Sequence, residues 1–240
     1  MDHKLDEFVK KLKTAAADNL KSVILYGSAA TDEFHSKHSD LNVLCLLGVA
    51  DAARMERLHA PVAWWIKQGH RPPLVFTVDE LIRSADIFTI ELLDMKSHHR
   101  ILFGEDLLAG ISVPLRCHAI QVERELRTDW LRLRQAMLIA PKKTKIYLEL
   151  MVSSFSSFAA LFRHALLALG EPPAATKREA IGRIARFAGA DPAGFYAILD
   201  FREGKRAEID VEKTLNQYFA FVDAVTAKFD GQLDIKNQST

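Results

Sequence analysis

Up to about residue 112 the apolar residues of this 240-residue chain come in short unbroken runs between helix-like stretches; beyond Pro114 they recur only at a helical period. That switch constrains the fold more than any other feature. The runs SVILY (22–26), LNVLCLL (41–47), PLVF (73–76) and RILFG (100–104) are too short and too continuously apolar for surface helices. They fit strands buried on both faces. Between them lie helix signals. Leu5, Phe8, Val9, Leu12, Ala16 and Leu20 mark one inward stripe. Asp51 is placed to cap a helix with Met55, Leu58, Val62 and Ile66 facing in, ended by Pro72-Pro73. Thr77-Val-Asp-Glu80 matches a capping box, so a helix is predicted from about Val78, and a short one after Gly104. The alternation indicates an α/β arrangement.

Past Pro114 the spacing predicts helices alone. Leu126, Trp130, Leu133 and Met137 line one face, and Phe155, Phe158, Phe162, Leu166 and Leu169 a second, closed by Gly170 and Pro172-Pro173. Shorter helices are expected near 176–188 and 192–202, then a long one with Leu215, Phe219, Val222 and Phe229 inward. Such helices with short connections make a bundle. The expected organisation is 1–112, then a bundle over 113–232, then a loose tail over 233–240.

The formal net charge of +1 argues against duplex nucleic acid or an anionic membrane as a partner. Residues 1–112 hold 13 Lys+Arg against 16 Asp+Glu, a net −3, and the rest 19 against 15, a net +4. Cys45 and Cys117 have no metal-ligand spacing. The opening MDHKLDEFVKKL lacks a signal pattern, and the longest unbroken apolar run, residues 43–50, is too short for a bilayer. The expectation is a soluble cytoplasmic protein.

The stretch SVILYGSAATDEFHSKHSDLNVL carries the chemistry. Gly27 after a strand permits a tight turn and close approach to a ligand. Ser28 then offers a hydroxyl and an amide where an anionic oxygen is favoured. A plain turn between buried strands explains the same pair. Asp40 and Asn42, however, are two apart on a strand and share a face, where polar groups need partners, water or an ion. Mg²⁺ commonly binds through one or two carboxylates plus substrate phosphates.

Gly-Ser, eleven residues, then Asp-Leu-Asn-Val resembles the signature of the nucleotidyltransferase superfamily that includes the aminoglycoside and minimal nucleotidyltransferases. The resemblance implies an α+β fold, a small mixed sheet flanked by helices, followed by an all-α bundle facing Gly27, Ser28 and Asp40 across a cleft. It implies Mg²⁺- or Mn²⁺-dependent transfer of a nucleoside monophosphate from a nucleoside triphosphate. Gly27 and Ser28 would bind the nucleotide, and Asp40 and Asn42 would hold the metal and act in catalysis. The partners would be the triphosphate and an unidentified acceptor or protein, with a homo-oligomer left open.

The chain departs from the family pattern at two points. Active members use three carboxylates to hold two Mg²⁺. Here Asn42 replaces the second, and PLVF, where the third belongs, has none. Asp79 and Glu80 are explained by the capping box, and spacing does not place Asp86, Glu91 or Asp94. Two readings therefore stand: a transferase that draws on another acid, or a nucleotide-binding or regulatory protein of the same fold. His35 and His38 beside the motif, the His98-His99-Arg100 cluster, and Lys142, Lys143 and Lys145 all read as solvated surface.

Overall fold

The computed structural model describes residues 2–30 and 41–238. The chain divides into two compact units, Met1–Pro114 and Leu115–Thr240.

In the first unit, helix α1 (Asp2–Ala16) buries the expected stripe Leu5, Phe8, Val9, Leu12 and Ala16. A four-stranded mixed sheet runs in the order β3-β2-β1-β4. Strand β1 (Leu20–Tyr26) is antiparallel to β2 (Asn42–Leu47) and to β4 (His99–Gly104), while β3 (Leu74–Thr77) runs parallel to β2 along the edge. The unbroken apolar runs of β1 and β2 follow from cover on both faces. Val23, Leu25, Val43, Cys45 and Leu47 join the α1 stripe and Trp65. Ile24, Leu44 and Leu46 join Leu81, Leu92 and Met95 on the other face.

The single helix expected after Asp51 is two, α2 (Ala52–Arg57) and α3 (His59–Lys67). Asp51 caps the first as expected, accepting the Arg54 amide at 2.9 Å. The break has a cause in Pro61. An uninterrupted helix would place it in the interior, against a carbonyl four residues back, whereas restarting at His59 puts it in a first turn. The restart also changes the inward face. Met55 and Ile66 stand 40% and 49% exposed, and Trp65 is buried instead, stacked on Phe8 at 4.4 Å.

Helix α4 (Val78–Arg83) opens on the capping box: Thr77 Oγ1 accepts the Glu80 amide at 3.1 Å, and the Thr77 amide donates to Glu80 Oε2 at 2.8 Å. The hydrogen bonds that its carboxyl accepts from Thr77, the backbone amide first, hold Glu80 below its usual range. Thr77→Ala is expected to cost about 1 kcal/mol. Urea unfolding measures it, and an unshifted midpoint would contradict the cap's role. Helix α5 (Thr89–Ser97) follows, and past β4 the chain turns through 107–110 where a short helix was expected. At the end of β4, Gly104 has φ +79°. The buried Ser22 hydroxyl beside it donates to the Phe103 and Glu105 carbonyls at 3.1 and 2.9 Å.

The second unit is a bundle of α6 (His118–Ile139), α7 (Thr144–Ala168), α8 (Lys177–Ala188), α9 (Ala193–Arg202) and α10 (Val211–Gln238). Leu126, Trp130 and Leu133 are buried as expected, with Met137 only half-buried. Phe155, Phe158, Phe162 and Leu166 of α7 are buried too. On α10 Phe229 is fully buried as expected, and so are Tyr218 and Phe221, with Phe219 at the margin, edge-on to Trp130. The backbone of α10 is helical to Gln238, through most of the segment expected as a loose tail. By length and composition α7 could cross a membrane, contrary to the expectation from unbroken runs, because Ser153, Ser154, Ser156 and Ser157 divide an otherwise apolar stretch. Half of that stretch is buried inside the protein.

Candidate functional site

One end of the sheet gathers the motif. Strand β1 finishes there at Tyr26, and β2 and β4 start there at Asn42 and His99. Tyr26 pairs with Asn42 on one side and His99 on the other. Directly opposed residues project to the same face, so Asn42, Tyr26 and His99 form a row across three strands. Tyr26 packs against the core cluster of Ile24 and Leu44.

Gly27 leaves β1 with φ +78° and donates its amide to the His98 carbonyl at 3.1 Å. A Cβ at Gly27 would lie 3.3 Å from Asn42 Nδ2. The two halves of the motif therefore meet, with the amide of Asn42 against the bare face of the glycine. Ser28 follows in a short 3-10 turn, Gly27–Ala30. Asp40 lies outside the described residues, as do His35 and His38.

Charge enters this end from two further elements. Burial pushes the Tyr26 hydroxyl up, the carboxylate of Glu91 on α5 adds to the rise, and Arg71 opposes it. His99 Nε2 lies 3.1 Å from Asp106 Oδ2, and Asp106 Oδ1 accepts the Ala109 amide at 3.0 Å. For Asp106 the upward push of burial is outweighed by the hydrogen bonds from His99 and the backbone, which hold the carboxyl below its usual range. The His99 side chain is 15% exposed and that of Asp106 40%. The His98-His99-Arg100 cluster is thus a strand start with one imidazole turned inward on a carboxylate. Sequence spacing gave no sign of that pair, because a strand and a glycine turn separate its members.

The strands beside Asn42 supply no acid. Neither β1 nor β3 contains Asp or Glu. Asp79 and Glu80 start α4 at the opposite end of the sheet, since the parallel register sets Thr77 against Leu47, about 16 Å along the strand from Asn42. Among the described residues no three His, Cys, Asp or Glu side chains come together as a metal-binding group. Asn42 contributes one neutral oxygen, so the described donors do not fit the two-Mg²⁺ site that the motif suggests.

No protein-family model matches the chain, and no curated protein is significantly similar to it in sequence. Its structure is similar to the crystal structure of spectinomycin adenyltransferase AAD(9) from Enterococcus faecialis, solved with ATP and spectinomycin. The TM-score is 0.58 at 14% identity, covering 93% of this chain and 99% of that one. At that identity the likeness is one of fold: the chain has the fold of an aminoglycoside nucleotidyltransferase, a small mixed sheet among helices followed by a helical bundle.

Proposed function

We propose that the protein binds a nucleoside triphosphate at the Gly27 turn and transfers the nucleoside monophosphate to a hydroxyl or amine of a small acceptor. The likeness of fold to an adenyltransferase over 93% of the chain carries this reading, and the meeting of Gly27 with Asn42 supports it. The missing Cβ of Gly27 lets the backbone approach the triphosphate, Ser28 offers a hydroxyl to a phosphate oxygen, and the Asn42 amide can donate to another. Asp40 is the one acid of the signature. Because the described donors do not fit two Mg²⁺ ions, no step is assigned to a metal. ATP, bound by the structural neighbour, is the first donor to test, and spectinomycin the first acceptor.

A second reading, nucleotide binding without turnover, is favoured by the absence of any carboxylate on β1 and β3. Calorimetry with ATP and a pyrophosphate-release assay separate the two. Wild type is expected to bind ATP, with Ser28→Ala weakening binding about tenfold, the worth of one hydrogen bond to a charged group. The release assay takes ATP, Mg²⁺ or Mn²⁺, and spectinomycin or a panel of hydroxyl- and amine-bearing compounds. Release supports transfer. Binding without release with every acceptor supports the second reading. No ATP binding would sink both.

A further inference from the structure

His99 is not part of the motif, yet it stands at the same end of the sheet, and the chain beyond β4 turns back to bring Asp106 onto it. His99 stands in the same row as Asn42, with Tyr26 between them packed into the core below. The turn of the motif lies one residue from His99, since the Gly27 amide donates to the His98 carbonyl at 3.1 Å. Asp106 accepts from His99 Nε2. A carboxylate there fixes the neutral tautomer that carries its proton on Nε2 and its lone pair on Nδ1. Asp106 is itself fixed by the Ala109 amide. The turn is held further by Lys96, whose Nζ donates to the Ala109 carbonyl at 3.2 Å and to that of Ile111. A nucleophile-side base needs this combination: an imidazole with one nitrogen committed to a carboxylate, on the residue next to the turn of the motif.

We propose that His99, oriented by Asp106, is the base that accepts the proton of the acceptor hydroxyl during nucleotidyl transfer. The inference rests on the transferase reading above. The acceptor oxygen forms a bond to the α-phosphorus, and the bond from that phosphorus to the bridging oxygen breaks. Pyrophosphate leaves with the electron pair, and the acceptor proton moves to His99 Nδ1. The imidazolium so formed is stabilised by the Asp106 carboxylate. The titratable and charged groups around it are Asp106 and Lys96 at the turn, Tyr26 on β1 with Glu91 and Arg71 acting on its hydroxyl, and His98 and Arg100 on either side in the chain.

The experiment measures ATP binding by calorimetry, and pyrophosphate release against pH with ATP and spectinomycin or whichever panel compound turns over, for wild type, His99→Gln and Asp106→Asn. Gln keeps a donor for Asp106 but takes up no proton. It is expected to bind ATP like wild type, to lose about a hundredfold in kcat, and to lose the ascending limb of the pH profile. Asp106→Asn is expected to lower kcat and displace that limb. A residue that merely pins the turn would change melting temperature and leave the limb in place. Turnover with an intact limb in His99→Gln overturns the inference and leaves the transferase reading standing, and so does lost ATP binding in a folded His99→Gln. Absence of turnover in wild type with every acceptor overturns both. Should His99→Gln fail to fold, Asp106→Asn decides, and unchanged kcat and pH profile there overturn the inference.

Discussion

Phe195→Ala is expected to destabilise the helical unit by about 4 kcal/mol, as large a loss as a single truncation in this protein should cause. The ring of Phe195 is fully buried and lies flat on Tyr218 of α10, with centroids 4.1 Å apart and planes within 7°. It also meets Phe221 at 5.0 Å and, from α7, Phe162 at 5.2 Å and Phe155 at 5.7 Å. Truncation removes the area of one aromatic side chain and several ring–ring contacts at once, and three helices would have to shift together to refill the space. Thermal unfolding followed by circular dichroism should show the midpoint about 10 °C lower. A shift of two degrees or less would mean that the aromatic cluster is not the core of the bundle.

Gly104→Ala should cost about 3 kcal/mol for a different reason. The residue has φ +79°, and a Cβ there would lie 2.0 Å from the backbone carbonyl oxygen of Lys21. The positive φ accounts for about 1 kcal/mol, and relief of the overlap for about 2 more, because β1 cannot retreat without loosening its pairing with β4 and the bonds of Ser22. Gly69→Ala provides the comparison. That glycine has φ +89° with nothing within 4 Å of a new Cβ, so its cost should stay near the conformational term alone. Equal midpoints for the two variants in urea would show that the contact with Lys21 contributes nothing.

Most of the fold was legible because local signals and burial agree. The α1 stripe, the Asp51 cap and the Thr77–Glu80 box each follow from chemistry within four residues, and each is present. The helix after Asp51 was misread where a single residue, Pro61, resets the phase, so that Trp65 rather than Ile66 is buried. Spacing alone does not single out Tyr218 and Phe221 beside Phe219, since neighbouring aromatics on a long helix give near-equivalent stripes. In the site, the coming together of Gly27 and Asn42 was legible from the motif, and so was the lack of an acid in PLVF. Glu91 beside Tyr26 and Asp106 on His99 were not, because strand register and the turn after β4 decide both placements.

The composition of α7 bears on the order in which the chain is made. A helix apolar enough to cross a membrane is synthesised before α8, α9 and α10, which supply Phe195, Tyr218 and Phe221 to its buried face. Until α8 is complete, about twenty residues later, that face has only α6 for cover, and the aromatic residues of α10 arrive about fifty residues on. The interval in which the nascent chain is most prone to stick to lipid or to its own kind therefore falls late in translation, after the first unit is complete.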